Sequence, residues 1–159
     1  MQARTKKILI ITSIAAVVLA LPILLFAIIR TPRLTPYLSV SIGDEQVWAA
    51  QLSHEWRWTF RRLTVEAVNP WEFFESSEAA VTLYSINFHN GDNEVVLSFT
   101  EAPSELTLRK WTEYGYKLVE LYNSRFTVTN SGSNYIFEAV ANWPAGWSSY
   151  AFMLLLSRN

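Results

Sequence analysis

The chain reads as an all-β protein, an antiparallel β-sandwich with a short helical insert, preceded by one N-terminal transmembrane helix. Three observations carry that reading. Residues 8–29, ILIITSIAAVVLALPILLFAII, hold no charged side chain and are closed by Lys7 and Arg30. Beyond residue 36, β-rich runs follow one another at short intervals with turn residues between them. One stretch alone, 62–78, breaks that rhythm, and from Asn69 on it carries the signals of a helix start.

The uncharged run has 22 residues, which at helical rise span about 33 Å, close to the ~30 Å of a bilayer's hydrocarbon. Pro22 is tolerable within it, because neighbouring groups in membrane helices re-satisfy the freed carbonyl. Arg4, Lys6 and Lys7 precede the run and Arg30 and Arg33 follow it, a small bias that favours the amino terminus inside and the rest outside. A cleaved signal peptide is the competing reading. Against it, the apolar run exceeds the usual ~7–15 residues, and Ala27, the best small residue, has bulky Leu25 two positions before it. The expected organisation is a cytoplasmic tail over 1–7, a single-pass membrane helix over 8–29, a linker over 30–36 and an extracytoplasmic β-sandwich over 37–159.

The linker carries Pro32 and Pro36 and reads as a stiff spacer. Tyr37–Ile42, the turn pair Gly43-Asp44 and Gln46–Leu52 give the first strands. His54–Arg61 follows, with Trp56, Trp58 and Phe60 alternating against Arg57 and Thr59. Asn69 before Pro70, with Glu72 and Glu75 after it, predicts a short helix around 70–77. Ala80–Phe88 and Glu94–Thr100 flank Asn90-Gly91 and read as a hairpin. Glu105–Trp111 places Leu106 and Leu108 on one face and Thr107 and Arg109 on the other. Tyr116–Leu121, Arg125–Thr129, Asn134–Trp143 and Trp147–Leu156 complete the strands, the last pair turned by Pro144-Ala145-Gly146. About eight to ten strands with one helical insert define a sandwich or barrel.

Charge separates the two parts. All 14 acidic residues lie beyond Arg33, against eight of the 13 basic ones, so the domain carries a formal charge of −6 while the whole chain carries −1. Nucleic acid and anionic lipid both need a basic footprint, so neither is expected as its main partner. The absence of cysteine excludes disulfides, thiolate metal sites, a cysteine nucleophile and lipobox lipidation.

No catalytic motif stands out. His54 and His89, the two histidines, lie in separate segments with no ligand spacing, so no metal is expected. The Asn90–Glu94 loop offers oxygens but lacks the EF-hand pattern, and a hairpin turn already explains its Asn-Gly. There is no G-x-S-x-G elbow and no glycine-rich phosphate loop, and no cofactor is expected. Aromatics are the enriched class, with seven tryptophans. Trp56, Trp58, Phe60, Tyr135 and Phe137 alternate along strands and read as core. Trp71, Trp143 and Trp147 flank turns or the helical insert and are the candidate binding residues.

Gly132-x-x-Tyr135-x-Phe137-x-Ala139 resembles the penultimate strand of immunoglobulin-like sandwiches, with Phe137 where antibody domains have a cysteine. Tyr135–Trp143 followed by Ser149-Tyr150-Ala151-Phe152 resembles the C-terminal hairpin of exported or membrane-anchored Ig-like β-sandwich proteins of Gram-positive bacteria. Gly43-Asp44 before the Trp56 strand, and Pro103 leading to Trp111, fit the same pattern. Many of those relatives are lipoproteins, whereas this chain has no lipidated cysteine. The resemblance implies the Ig-like fold and transfers no catalytic residue.

Together these readings predict a non-catalytic binding or accessory module at the bacterial cell surface, directed at a protein or a cell-wall glycan. Two alternatives stand beside it. One is a protease-inhibitor-like sandwich presenting the loop 69–77. The other is an envelope hydrolase using carboxylates, which needs two acids about 5–10 Å apart in a cleft.

Overall fold

The computed structural model describes residues 35–58, 61–88, 91–129 and 133–156. The tail and span read over 1–29, most of the linker, Phe60, His89, Asn90 and Gly132 lie outside the described residues, as does the side chain of Trp58. Among the described residues no helix is long and apolar enough to cross a membrane.

Two sheets form the body. In the first, β1 (Leu38–Ile42) lies between β2 (Glu45–Trp48) and β6 (Asp92–Phe99), and β9 (Arg125–Thr129) pairs with the far side of β6. The second holds seven strands: β3 (Ala50–Trp58), β4 (Arg61–Val65), β5 (Ser85–Phe88), β7 (Glu105–Thr112), β8 (Gly115–Val119), β10 (Tyr135–Trp143) and β11 (Gly146–Leu156). Their order is β4-β3-β11-β10-β7-β8. Strand β5 runs parallel to the end of β11, from Met153↔Ser85 to Leu156↔Phe88, and every other pairing among the described residues is antiparallel.

The sandwich interior follows from strand alternation. Leu38 and Val40 of β1, Val95 and Leu97 of β6, and Phe126 and Val128 of β9 meet Trp56, Leu108, Phe137, Tyr150 and Phe152 of the other sheet. Phe137 stacks on Phe152 at 5.4 Å between ring centroids and touches Phe126 at 5.0 Å. A second apolar layer covers the opposite face of the seven-stranded sheet. There Ala50, Leu52, Ile136, Ala151 and Met153 pack against Phe74 of α1 (Pro70–Glu75) and Ala80 of α2 (Glu78–Tyr84). Strands β10 and β11 are therefore buried on both faces, which is why their sequences are nearly continuous apolar runs.

A bulge makes the two layers compatible. The pairing of β3 with β11 shifts between Ser149↔Ser53 and Tyr150↔Gln51, so β3 carries one extra residue there. Ala50 and Leu52 consequently face the helices while Trp56, at the same parity, faces the sandwich interior.

The short helix expected around 70–77 forms as α1, capped by Asn69, whose side chain accepts from Trp71 N at 2.9 Å. Three other expectations change. Ser77 starts a second helix, α2, by accepting from Ala80 N at 3.1 Å. The run Ala80–Phe88 is mostly α2, with only Ser85–Phe88 extended. It does not form a hairpin with β6, because β5 joins β11 in one sheet while β6 joins β1 and β9 in the other. Finally, β4 occupies Arg61–Val65, where the sequence signals no strand.

Candidate functional site

Of the three candidate tryptophans, Trp143 does not join the other two on a surface. Trp143 is only 6% exposed, part of the sandwich interior. Its ring meets Trp56 and Phe99 edge-on at 5.5 and 5.7 Å, and its Nε1 donates to the Glu101 carbonyl at 3.1 Å. Trp143 is therefore a core residue and offers no binding surface. Trp147 has Asn142 as its Cα partner, whereas Trp143 has Gly146, so the pleat puts these two rings on opposite faces of the sheet. Trp147 is half-buried, and so is Trp71, which packs with the helix-side cluster. The assignments of Trp56, Tyr135 and Phe137 to the core hold.

The 69–77 segment also loses its loop character. Pro70 and Phe74 are buried, Trp71 and Phe73 pack with them, and both helices lie on the sheet. A protease-inhibitory loop needs a projecting, extended backbone, and this segment is helical and docked.

Exposed aromatics gather elsewhere, in two places. The first is a groove of about 520 Å³ lined by Tyr37, Trp48, Ala49, Ala50, Gln51 and Tyr84. Trp48 is 56% exposed and stands edge-on to Tyr37 at 6.3 Å. Strand β2 is an edge strand whose Val47 turns inward to the core, so Trp48 turns outward. No lining residue is charged. Gln51, the one amide, is already engaged, donating from Nε2 to Ser148 Oγ at 2.6 Å and accepting from Thr35 Oγ1 at 3.1 Å.

The second is the edge of the large sheet. Tyr114 in the β7–β8 turn is 92% exposed, Tyr122 after β8 is 79% exposed, and Tyr116 and Leu118 of β8 are exposed with them. Arg109 lies over the Tyr116 ring at 4.5 Å and is fixed by Glu138, whose carboxylate accepts from Arg109 Nη1 at 3.2 Å and from Trp111 Nε1 at 3.0 Å. Glu138 is buried, so this pair anchors the β8 edge to the sheet centre.

Carboxylates collect at the end of β1 remote from Tyr37. Asp44, Glu45, Asp92 and Glu94 line a concavity of about 530 Å³ there. Asp92 accepts from Thr129 Oγ1 at 2.8 Å and Glu94 pairs with Arg125 at 2.8 Å, so these two tie β6 to β9. His54 is partly buried with Nε2 unpartnered among the described residues, and burial lowers its pKa. Among the described residues no cluster of three or more His, Cys, Asp or Glu could hold a metal.

Comparison of the chain with protein-family models, with curated proteins and with solved structures returned no match.

Sequence reasoning missed Trp48 and the β8 tyrosines for one reason. In QVWAAQL and EYGYKLVELY the apolar and polar positions do not alternate cleanly, so the outward face is set only by which neighbour covers each strand.

Proposed function

We propose that the protein is a single-pass, membrane-anchored, extracytoplasmic Ig-like sandwich that acts as a non-catalytic binding or accessory module at the bacterial cell surface. The observation that carries the location is the charge-free run of residues 8–29 followed, six residues on, by a compact β unit beginning at Thr35.

Connectivity supports the Ig-like reading. Strands β1, β6 and β9 are neighbours in one sheet and β8, β7, β10 and β11 in the other, the pairing of A, B, E and of C′, C, F, G in an Ig sandwich. Between the first two strands of that scheme, residues 43–88 insert β2 to β5 and both helices. Tyr135, at the start of β10 and two residues before Phe137, donates its hydroxyl to the Thr129 carbonyl at 3.2 Å, the geometry of a tyrosine corner.

The binding role rests on the tyrosine-rich β8 edge. Tyrosine supplies a large rigid contact area with a polar tip at low entropic cost, and a free edge can add an extended strand. The partner is a protein or a cell-wall glycan. Location is tested on the full-length chain expressed in a Gram-positive host. Washing isolated membranes with alkaline carbonate or with high salt should leave it in the pellet, because the attachment is hydrophobic rather than ionic. External protease on protoplasts should degrade the β unit. Release of the intact chain into the aqueous phase would end this reading. For the binding role, replacing Tyr114 and Tyr122 together by serine should abolish retention on cell-wall sacculi or surface-protein fractions without changing the thermal midpoint.

A further inference from the structure

We propose that the groove between Tyr37 and Trp48 rests on the lipid–water interface of the membrane holding residues 8–29, its occupant being the headgroup and upper acyl region of that bilayer. The inference builds on the anchored reading above and adds an orientation to it.

Tether length is the first argument. Tyr37 lies eight residues after Ile29, the last of the uncharged run. At no more than about 3.6 Å per residue, the contour between them cannot exceed about 29 Å, and the headgroup layer itself takes up about 5–8 Å of that. On the anchored reading, that contour keeps Tyr37 and the chain's entry into β1 within reach of the bilayer surface. Tyr37 is fixed there, its backbone N–H donating to Thr100 Oγ1 at 3.0 Å. The neighbouring Pro36 carbonyl accepts from the buried Tyr150 hydroxyl, so the junction is part of the folded unit.

Surface chemistry is the second. Two other concavities, at the β1–β2 turn and beside β9, carry carboxylates, Asp44, Glu45, Asp92 and Glu94 in one and Glu94 and Glu120 in the other. The groove at the junction has no charge to desolvate and presents two phenols and an indole. Tyr and Trp concentrate at the headgroup level because an apolar ring and a polar tip match that gradient. Two or three exposed rings bind a bilayer weakly alone, but the tether makes the contact intramolecular and removes most of its association cost. An acidic domain needs no anionic lipid for such a contact, so a zwitterionic membrane suffices.

The chain has no cysteine, so single-site labelling is clean. Trp48→Cys and Tyr37→Cys, each carrying a nitroxide, are placed in the full-length protein in phosphatidylcholine vesicles, with Tyr114→Cys as the reference. Collision with dissolved oxygen, which concentrates in lipid, is compared with collision with a water-soluble nickel chelate. The proposal expects the oxygen-to-nickel ratio at positions 48 and 37 to exceed that at 114 several-fold. Equal ratios at all three sites, in protein that still floats with the vesicles after an alkaline wash, overturn the proposal and leave the anchor standing. Failure to float overturns the anchor and the proposal together. Dipolar broadening at position 48 that disappears on dilution with unlabelled protein shows that a second copy covers the groove, and equally overturns it.

Discussion

Tyr150 joins the last strand to the chain's approach to β1, its hydroxyl donating to the Pro36 carbonyl from a fully buried position. Burial, opposed by the Ser148 hydroxyl, pushes its pKa up to about 12 from the ordinary 10. Below pH 10 the phenol is neutral whether the chain is folded or not, and its contribution is intact. Above that, the unfolded chain ionises while the folded one holds its proton, so stability falls as pH rises towards 12, by about 2–3 kcal/mol in all. Denaturant titrations of wild type and Tyr150→Phe across that window should converge as pH rises, and parallel curves would contradict the burial argument. The tryptophans make a second residue-level prediction. Trp48→Phe should lower the acrylamide-quenchable fraction of emission, and Trp143→Phe should raise it, because one ring is in water and the other is in the core.

Two elements depend on single atoms. Helix α2 begins where the Ser77 hydroxyl accepts from Ala80 N. Ser77→Ala should cost about 1 kcal/mol, read as a lowered denaturation midpoint with unchanged slope. The β10–β11 turn ends at Gly146, where an added Cβ would collide with the Glu55 carbonyl oxygen of the adjacent strand. Backbone, unlike a side chain, cannot swing away. Gly146→Ala should therefore destabilise by about 1–3 kcal/mol, the range of overpacking in a well-packed region, and calorimetry would show it. Local chemistry announced the start of α1, since an N-cap and a following proline act within one turn. It could not place β5, whose partner β11 lies some 68 residues later in register.

Across the described β unit, the seven-stranded sheet is the central layer, with the smaller sheet on one face and the helices on the other. Its two ends differ chemically: uncharged aromatics where the chain enters, carboxylates at the β1–β2 turn. No residue lining the aromatic groove belongs to β8, so the tyrosine-rich edge is a separate surface.

By itself the sequence determined the charge-free run, the β-rich character, the β1–β2 turn, the cap at Asn69, and the burial of Trp56, Tyr135 and Phe137. Each of these depends on composition, on alternation or on contacts within a few residues. It took the tertiary structure to decide that Trp143 is core and Trp48 surface, that the helices form a third layer, and that β5 and β6 join different sheets instead of pairing as a hairpin. Those outcomes depend on which strand lies beside which and on a one-residue bulge that reverses the face of β3, and no local pattern encodes either.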